Sequence, residues 1–153
     1  MRFSASILTA LTLGTISVAA QEAPAPSEKP TIYNHVTKEG SPYDQAVRDA
    51  YAAKYTVVDL ADSPAYAQPK RIAGGLPKVV RTDFGEGLSG YVLVAYVITT
   101  DGRAIEPFVL KSTDERLNST TFKAIENWRF QPAKLHAVPI STIAAQEFTF
   151  KKP

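Results

Sequence analysis

The side chains able to do chemistry are few and scattered. His35 and His136 lie far apart in the sequence, and neither has an Asp or Glu at a spacing that would complete a metal site. Both read as surface histidines. The chain has no cysteine, which excludes a disulfide framework, a thiolate metal site and a cysteine nucleophile together. Ser112 and Ser119 stand in no nucleophile-elbow context. Asp114-Glu115 pairs two carboxylates, but in a polar stretch ahead of a helix, where a solvated cap is the ordinary role. Asn118-Ser119-Thr120 fits a glycosylation sequon, yet it starts a helix, so capping is the preferred reading. Gly85, Gly87 and Gly90 match a dinucleotide fingerprint by letters only, since they precede a strand instead of opening a helix. No catalytic residue, no metal and no cofactor are expected.

The patterned elements say more. Residues 90–99 alternate, with Val92, Val94, Tyr96 and Ile98 on one face of a strand. Asp101-Gly102 is a hairpin turn dipeptide, and residues 104–111 form the return strand. Pro107 cannot donate to a ladder, so it must face an open side or a bulge. Asn118 is placed as the N-cap of the next helix, with Leu117 as a staple ahead of it. Phe122, Ile125 and Trp128 then share one helical face. Residues 142–150 form a last strand carrying Phe148 and Phe150. These residues and Phe130 make the expected core, in which Trp128 needs a partner for its indole N–H. The fold class is therefore α+β, a small antiparallel sheet in strand-strand-helix-strand order.

The opposite face of the first strand (Tyr91, Leu93, Ala95, Val97) is also apolar, so something other than water must cover it. A segment of this chain, a second copy or a partner would each serve. Upstream, Ser41-Pro42 reads as a helix start, and Tyr43, Val47, Ala50 and Tyr51 recur at helical spacing. Residues 55–60 follow as a short strand, and residues 62–77, with three prolines and Gly74-Gly75, as mostly loop.

Arg2, a moderately apolar stretch over residues 7–18 and Val18-Ala19-Ala20 describe a secretory signal peptide cleaved after Ala20. Retained, the same residues would be a minimal membrane anchor. The expected organisation is thus 1–20 signal peptide, 21–40 Pro-rich linker, 41–75 helix-strand appendage and 76–153 the α+β domain. The 44% hydrophobic and 21% charged fractions exclude wholesale disorder. Beyond residue 20 the basic side chains outnumber the acidic ones by one, too little to argue for nucleic acid or an anionic membrane as partner.

The residues from Leu76 to Phe150 resemble the C-terminal domain of the TonB energy-transducer family. The resemblance rests on Gly90 opening the alternating strand, on Asp101-Gly102, on Leu117-Asn118 and on Val138-Pro139-Ile140. The closest match is Trp128-Arg129-Phe130-Gln131-Pro132-Ala133. Ala137 stands in place of a common Gly. Three departures stand out: Leu76-Pro77 occupies the place of a Tyr-Pro pair, the membrane helix that engages a transducer's motor is absent, and the long Pro-rich periplasm-spanning rod is reduced to residues 22–31.

The resemblance implies a periplasmic protein-binding module that takes an extended peptide of an outer-membrane TonB-dependent receptor as an added strand, in support of transmembrane transport. Carried onto this chain, the docking edge is the last strand, with Thr142, Ile143, Ala145, Glu147 and Thr149 nearest the peptide. Gly75, Leu76 and Pro77 form a secondary contact. A true transducer anchored by residues 1–20 and a homodimeric scaffold are the alternative readings.

Overall fold

The computed structural model describes residues 28–35, 42–60, 62–78 and 88–151. The expected signal peptide, most of the linker, the Ser41 cap and the Gly85 and Gly87 loop lie outside the described residues.

The described chain runs β1 (Thr31–Asn34), α1 (Asp44–Ala52), β2 (Thr56–Asp59), β3 (Tyr66–Ala67), β4 (Lys70–Ala73), β5 (Gly90–Ile98) and β6 (Ala104–Ser112). It continues through α2 (Arg116–Glu126), β7 (Arg129–Gln131), β8 (Ala133–Leu135), β9 (Val138–Ile140) and β10 (Thr142–Phe150). The main sheet has the order β2-β1-β10-β5-β6. Its β10-β5-β6 part is antiparallel, and β1 lies parallel to both of its neighbours. Two small sheets, β3-β8-β9 and β4-β7, complete the α+β fold.

The period-two alternation of β5 decides where the core lies. Val92, Val94, Tyr96 and Ile98 are buried on one face, together with Phe148 and Phe150 of β10. Helix α2 and the residues after it cover this face with Leu117, Ile125, Trp128 and Phe130, and half-buried Phe122 packs against them.

The opposite face is covered by the upstream segment. Ala95, Val97 and Ile143 pack against Ile32 of β1 and against Val47 and Tyr51 of α1. Each such fully buried side chain contributes about 1.5–3 kcal/mol relative to exposure, which makes the appendage part of the fold. This face therefore needs no second copy of the chain to keep it dry.

Polar contacts fix the appendage in place. The Tyr51 hydroxyl donates to the Glu106 carbonyl at 3.0 Å, and Lys54 Nζ lies 2.9 Å from Glu106 Oε1. Glu106 has φ +50°, at a bulge where Ala95 opposes Phe108 and Val97 opposes Ile105. Pro107 falls in this bulge on an edge strand, where its missing N–H is tolerated. From α1 the Arg48 guanidinium also donates to both Asp59 carboxylate oxygens, at 2.7 and 2.6 Å, and to Asp44 Oδ2 at 3.0 Å.

Three local expectations are corrected. Within the proposed linker, residues 31–34 form β1, because Ile32 and Asn34 alternate into the interior while Thr31 and Tyr33 face out. Asn34, itself buried, donates through Nδ2 to Asp59 at 3.2 Å. Helix α2 begins earlier than Asn118. Glu115 occupies the N-cap position, the Asp114 carboxylate accepts the Arg116 backbone N–H at 3.0 Å, and Leu117 is a fully buried helix residue. Finally, the stretch 62–77 contains β3 and β4, which pair with β8 and β7.

The β8–β9 hairpin turns through His136 and Ala137, with φ +50° and +65°, and Leu135 opposes Val138. A two-residue turn with both centres left-handed favours glycine. Ala137→Gly is expected to raise stability by roughly 0.5–1 kcal/mol, read as a higher midpoint in urea unfolding.

Candidate functional site: the β10 edge and its wall

The site is built outward from Trp128. The residue is fully buried where the chain leaves α2, in ring contact with Tyr96, Phe130 and Phe148. Burial pushes the Tyr96 phenol up to about 12, so this cluster is neutral. The Arg71 guanidinium lies 4.5 Å over the indole ring, a cation–π contact. The indole N–H, which needed a partner, donates to the Gly75 carbonyl at 2.7 Å. Gly74 allows this approach: it has φ +103°, and a Cβ there would stand 2.2 Å from Trp128 Cδ1.

The consequence is positional. Pinned through Gly75, Leu76 and Pro77 line a cavity of about 260 Å³ whose other wall is Gln146, Glu147, Phe148, Thr149 and Phe150. Five consecutive strand residues point to alternate faces, so a cavity touching all of them runs along the strand edge and not over one face. Leu76 is 59% exposed. On its far side the same stretch borders a second hollow, of about 380 Å³, against Thr120, Lys123, Ala124 and Asn127 of α2 and its end.

The edge itself divides in two. One side of β10 pairs with β5 along its whole length, from Thr142 opposite Ile98 to Phe150 opposite Gly90. On the other side β1 pairs only with Thr142 and Ile143. The Tyr33 N–H donates to the Ser141 carbonyl at 2.9 Å, which fixes the phase of the strand. Every second residue directs its backbone groups to the same side, so Ile143, Ala145, Glu147 and Thr149 face the β1 side. Among the described residues, no strand pairs with β10 on that side beyond Ile143.

The expected site residues therefore separate. Thr142 and Ile143 are buried beneath β1 and out of reach. Ala145 is half-buried and packs against the Ile32–Val47 cluster. Glu147 and Thr149 are exposed. Gly75, Leu76 and Pro77 stand beside the same edge, although Gly75 spends its carbonyl on Trp128. The contribution of Gln146, Phe148 and Phe150 to the cavity, and the capping by Tyr33, were not foreseen. For Tyr33 the Thr-Ile-Tyr-Asn alternation was the available signal.

His35 is half-buried. Its ring lies tilted against Tyr66, centroids 5.2 Å apart and planes at 52°, beside a hollow of about 490 Å³ lined also by Leu60, Asp62, Ser63, Pro64 and Gln68. Burial holds its imidazole below the ordinary histidine range. His136 is exposed in the hairpin turn. Among the described residues no three His, Asp or Glu side chains come together as a metal site would require. None of the helices there is long and apolar enough to cross a membrane.

Comparison with known proteins bears on the same segment. Residues 85–151 match the family model of the Gram-negative bacterial TonB protein C-terminal domain. That stretch is similar to a TonB C-terminal domain. Among solved structures, the chain is similar to the solution NMR structure of the Pseudomonas aeruginosa TonB C-terminal domain. The two are 28% identical with a TM-score of 0.48, over 56% of this chain and 87% of that one. Among curated proteins, none matches. The TonB C-terminal domain belongs to a family known for interaction with receptors in transport. In this chain the matched stretch holds β5, β6, α2 and β7 to β10, while β1 and α1 to β4 precede the matched residues.

Proposed function

We propose that this chain is a periplasmic, non-catalytic protein-binding module that takes an extended peptide of an outer-membrane TonB-dependent receptor as an added strand on β10. The observation that carries the reading is the edge over Ala145, Glu147 and Thr149. Its backbone groups face away from β5, no described strand pairs with them, and Leu76 and Pro77 wall the groove beside them. In strand addition the backbone supplies affinity and pockets for alternate side chains supply selectivity. Here the pocket beside Phe148 and Leu76 would receive the side chains that the peptide turns toward α2.

The test is a single substitution that removes one edge donor. The Glu147 N–H faces the open side, so Glu147→Pro leaves the β5 ladder intact, and proline is tolerated on such an edge. Calorimetric titration with extended peptides from receptor N-termini should show at least tenfold weaker binding for Glu147→Pro, about 1.4 kcal/mol. Glu147→Ala should stay within about threefold, since the bond lost in proline is a backbone one. Equal affinities for the proline variant and the parent would mean that the peptide does not add to this edge.

A further inference from the structure

Strand β1 already does to β10 what the proposed guest would do. It lies on the docking side, parallel to β10, with Tyr33 opposite Thr142 and Asn34 opposite Ile143. It is not a loose tail. Ile32 is fully buried against Val97 and Ile143's cluster, Asn34 is buried and bonded to Asp59, and the outer side of β1 pairs with β2 over four positions. Among the described residues, pairing of β1 with β10 nevertheless ends at Asn34, and the edge beyond it, Ala144–Phe150, has no described partner.

We propose that β1 is a resident strand that fixes the length and register of the guest: it occupies the first positions of the docking edge and confines an added peptide to Ala144–Phe150. This rests on the strand-addition reading and goes beyond it by naming the element that sets selectivity. A strand rises about 3.3 Å per residue, so the remaining edge gives a peptide roughly 20 Å of ladder. Residues beyond that length meet β1 and make no further backbone bonds. Tyr33 is the positioning residue, because its N–H closes the contact on Ser141.

The experiment compares the full chain with Tyr33→Pro, which deletes that donor while leaving the β2-facing side of β1 unaltered. A second variant, Ile32→Ala, loosens β1 through its buried anchor and keeps every N–H. Two readouts are taken. Hydrogen exchange without peptide should show the Ile143 amide, which faces β1, exchanging at least tenfold faster in both variants, with the β5 amides unchanged. A seven-residue receptor peptide is then compared with the same peptide extended by two residues at either end. The parent should bind both lengths within about twofold. The variants should bind the longer one more tightly, on the order of tenfold, as one or two added backbone hydrogen bonds allow.

The same length dependence in parent and variants overturns the proposal, as does an extended peptide that perturbs the Thr142 and Ile143 amides of the parent. Absence of binding in all proteins, with Ile143 exchange still accelerated in the variants, instead sinks strand addition itself and the register proposal with it.

Discussion

Trp128→Ala is expected to lower the unfolding free energy by roughly 3–5 kcal/mol, the range for deleting a large buried aromatic. Trp128 is fully enclosed and touches three other rings, so the loss combines buried apolar area with a cavity that its neighbours cannot fill. Two further contacts disappear with it. The Gly75 carbonyl loses the indole donor, and Arg71 loses the ring beneath it. The effect should reach the site, because Gly75 is what holds Leu76 and Pro77 against the β10 edge. A urea titration measures the stability term. Trp128→Phe should retain much of the packing and still free the Gly75 carbonyl, separating core stability from placement of the wall. In that variant the amides of 75–77 should exchange faster while those of β5 stay protected.

Gly102→Ala is expected to be nearly as costly, at roughly 3 kcal/mol or more. Gly102 has φ +79° in the turn after β5, where its N–H donates to Thr99 and its carbonyl accepts the Phe130 N–H at 2.7 Å. A Cβ there would stand 2.0 Å from the Phe130 carbonyl oxygen. The obstacle is backbone and cannot rotate aside, so the hairpin turn and β7 must separate. The Phe130 bond then breaks together with the left-handed strain of a non-glycine residue. The expected result is a large fall in the thermal midpoint, coupled to loss of the near-ultraviolet signal of the Trp128 cluster. Retention of parent stability would mean that the turn and the Trp-Arg-Phe segment are not held together as described.

The parts of the fold that could be read in the sequence are those whose pattern is long and self-consistent. The β5–β6 hairpin has nine-residue strands around Asp101-Gly102, and β10 has the bounds that its alternation suggested. The short strands were not legible for a physical reason. β3 has two residues and β4 has four, all of the latter exposed. Such segments are strands only because β7 and β8 offer them partners. β1 was masked by its flank of prolines. The start of α2 was misplaced because Asp114 and Asn118 are equally good capping residues by type, and it is Asp114 that takes the Arg116 N–H. The Arg116 guanidinium beside Asp114 holds that carboxyl below the ordinary range.

The candidate site was half legible for the same reason. Alternation along β10 picks out Ile143, Ala145, Glu147 and Thr149, and the phase set by Tyr33 and Ser141 turns the backbone groups of those residues to the open side. What alternation cannot carry is occupancy. Whether an edge is open depends on a partner strand more than a hundred positions earlier in the chain, and β1 takes Thr142 and Ile143 out of play. The wall at Leu76–Pro77 was placed by resemblance, and its physical cause is the hydrogen bond from Trp128.

The central claim is that β10 accepts a guest strand over its open half. Its most direct test is an NMR titration of the intact chain with extended receptor N-terminal peptides, following backbone amides. Shifts and slowed hydrogen exchange are expected at Ala145, Glu147 and Thr149, smaller shifts at Leu76, and none at Thr142 or in α1. A folded protein whose β10 amides stay unmoved, or whose shifts gather instead around His35 and Tyr66, would contradict it.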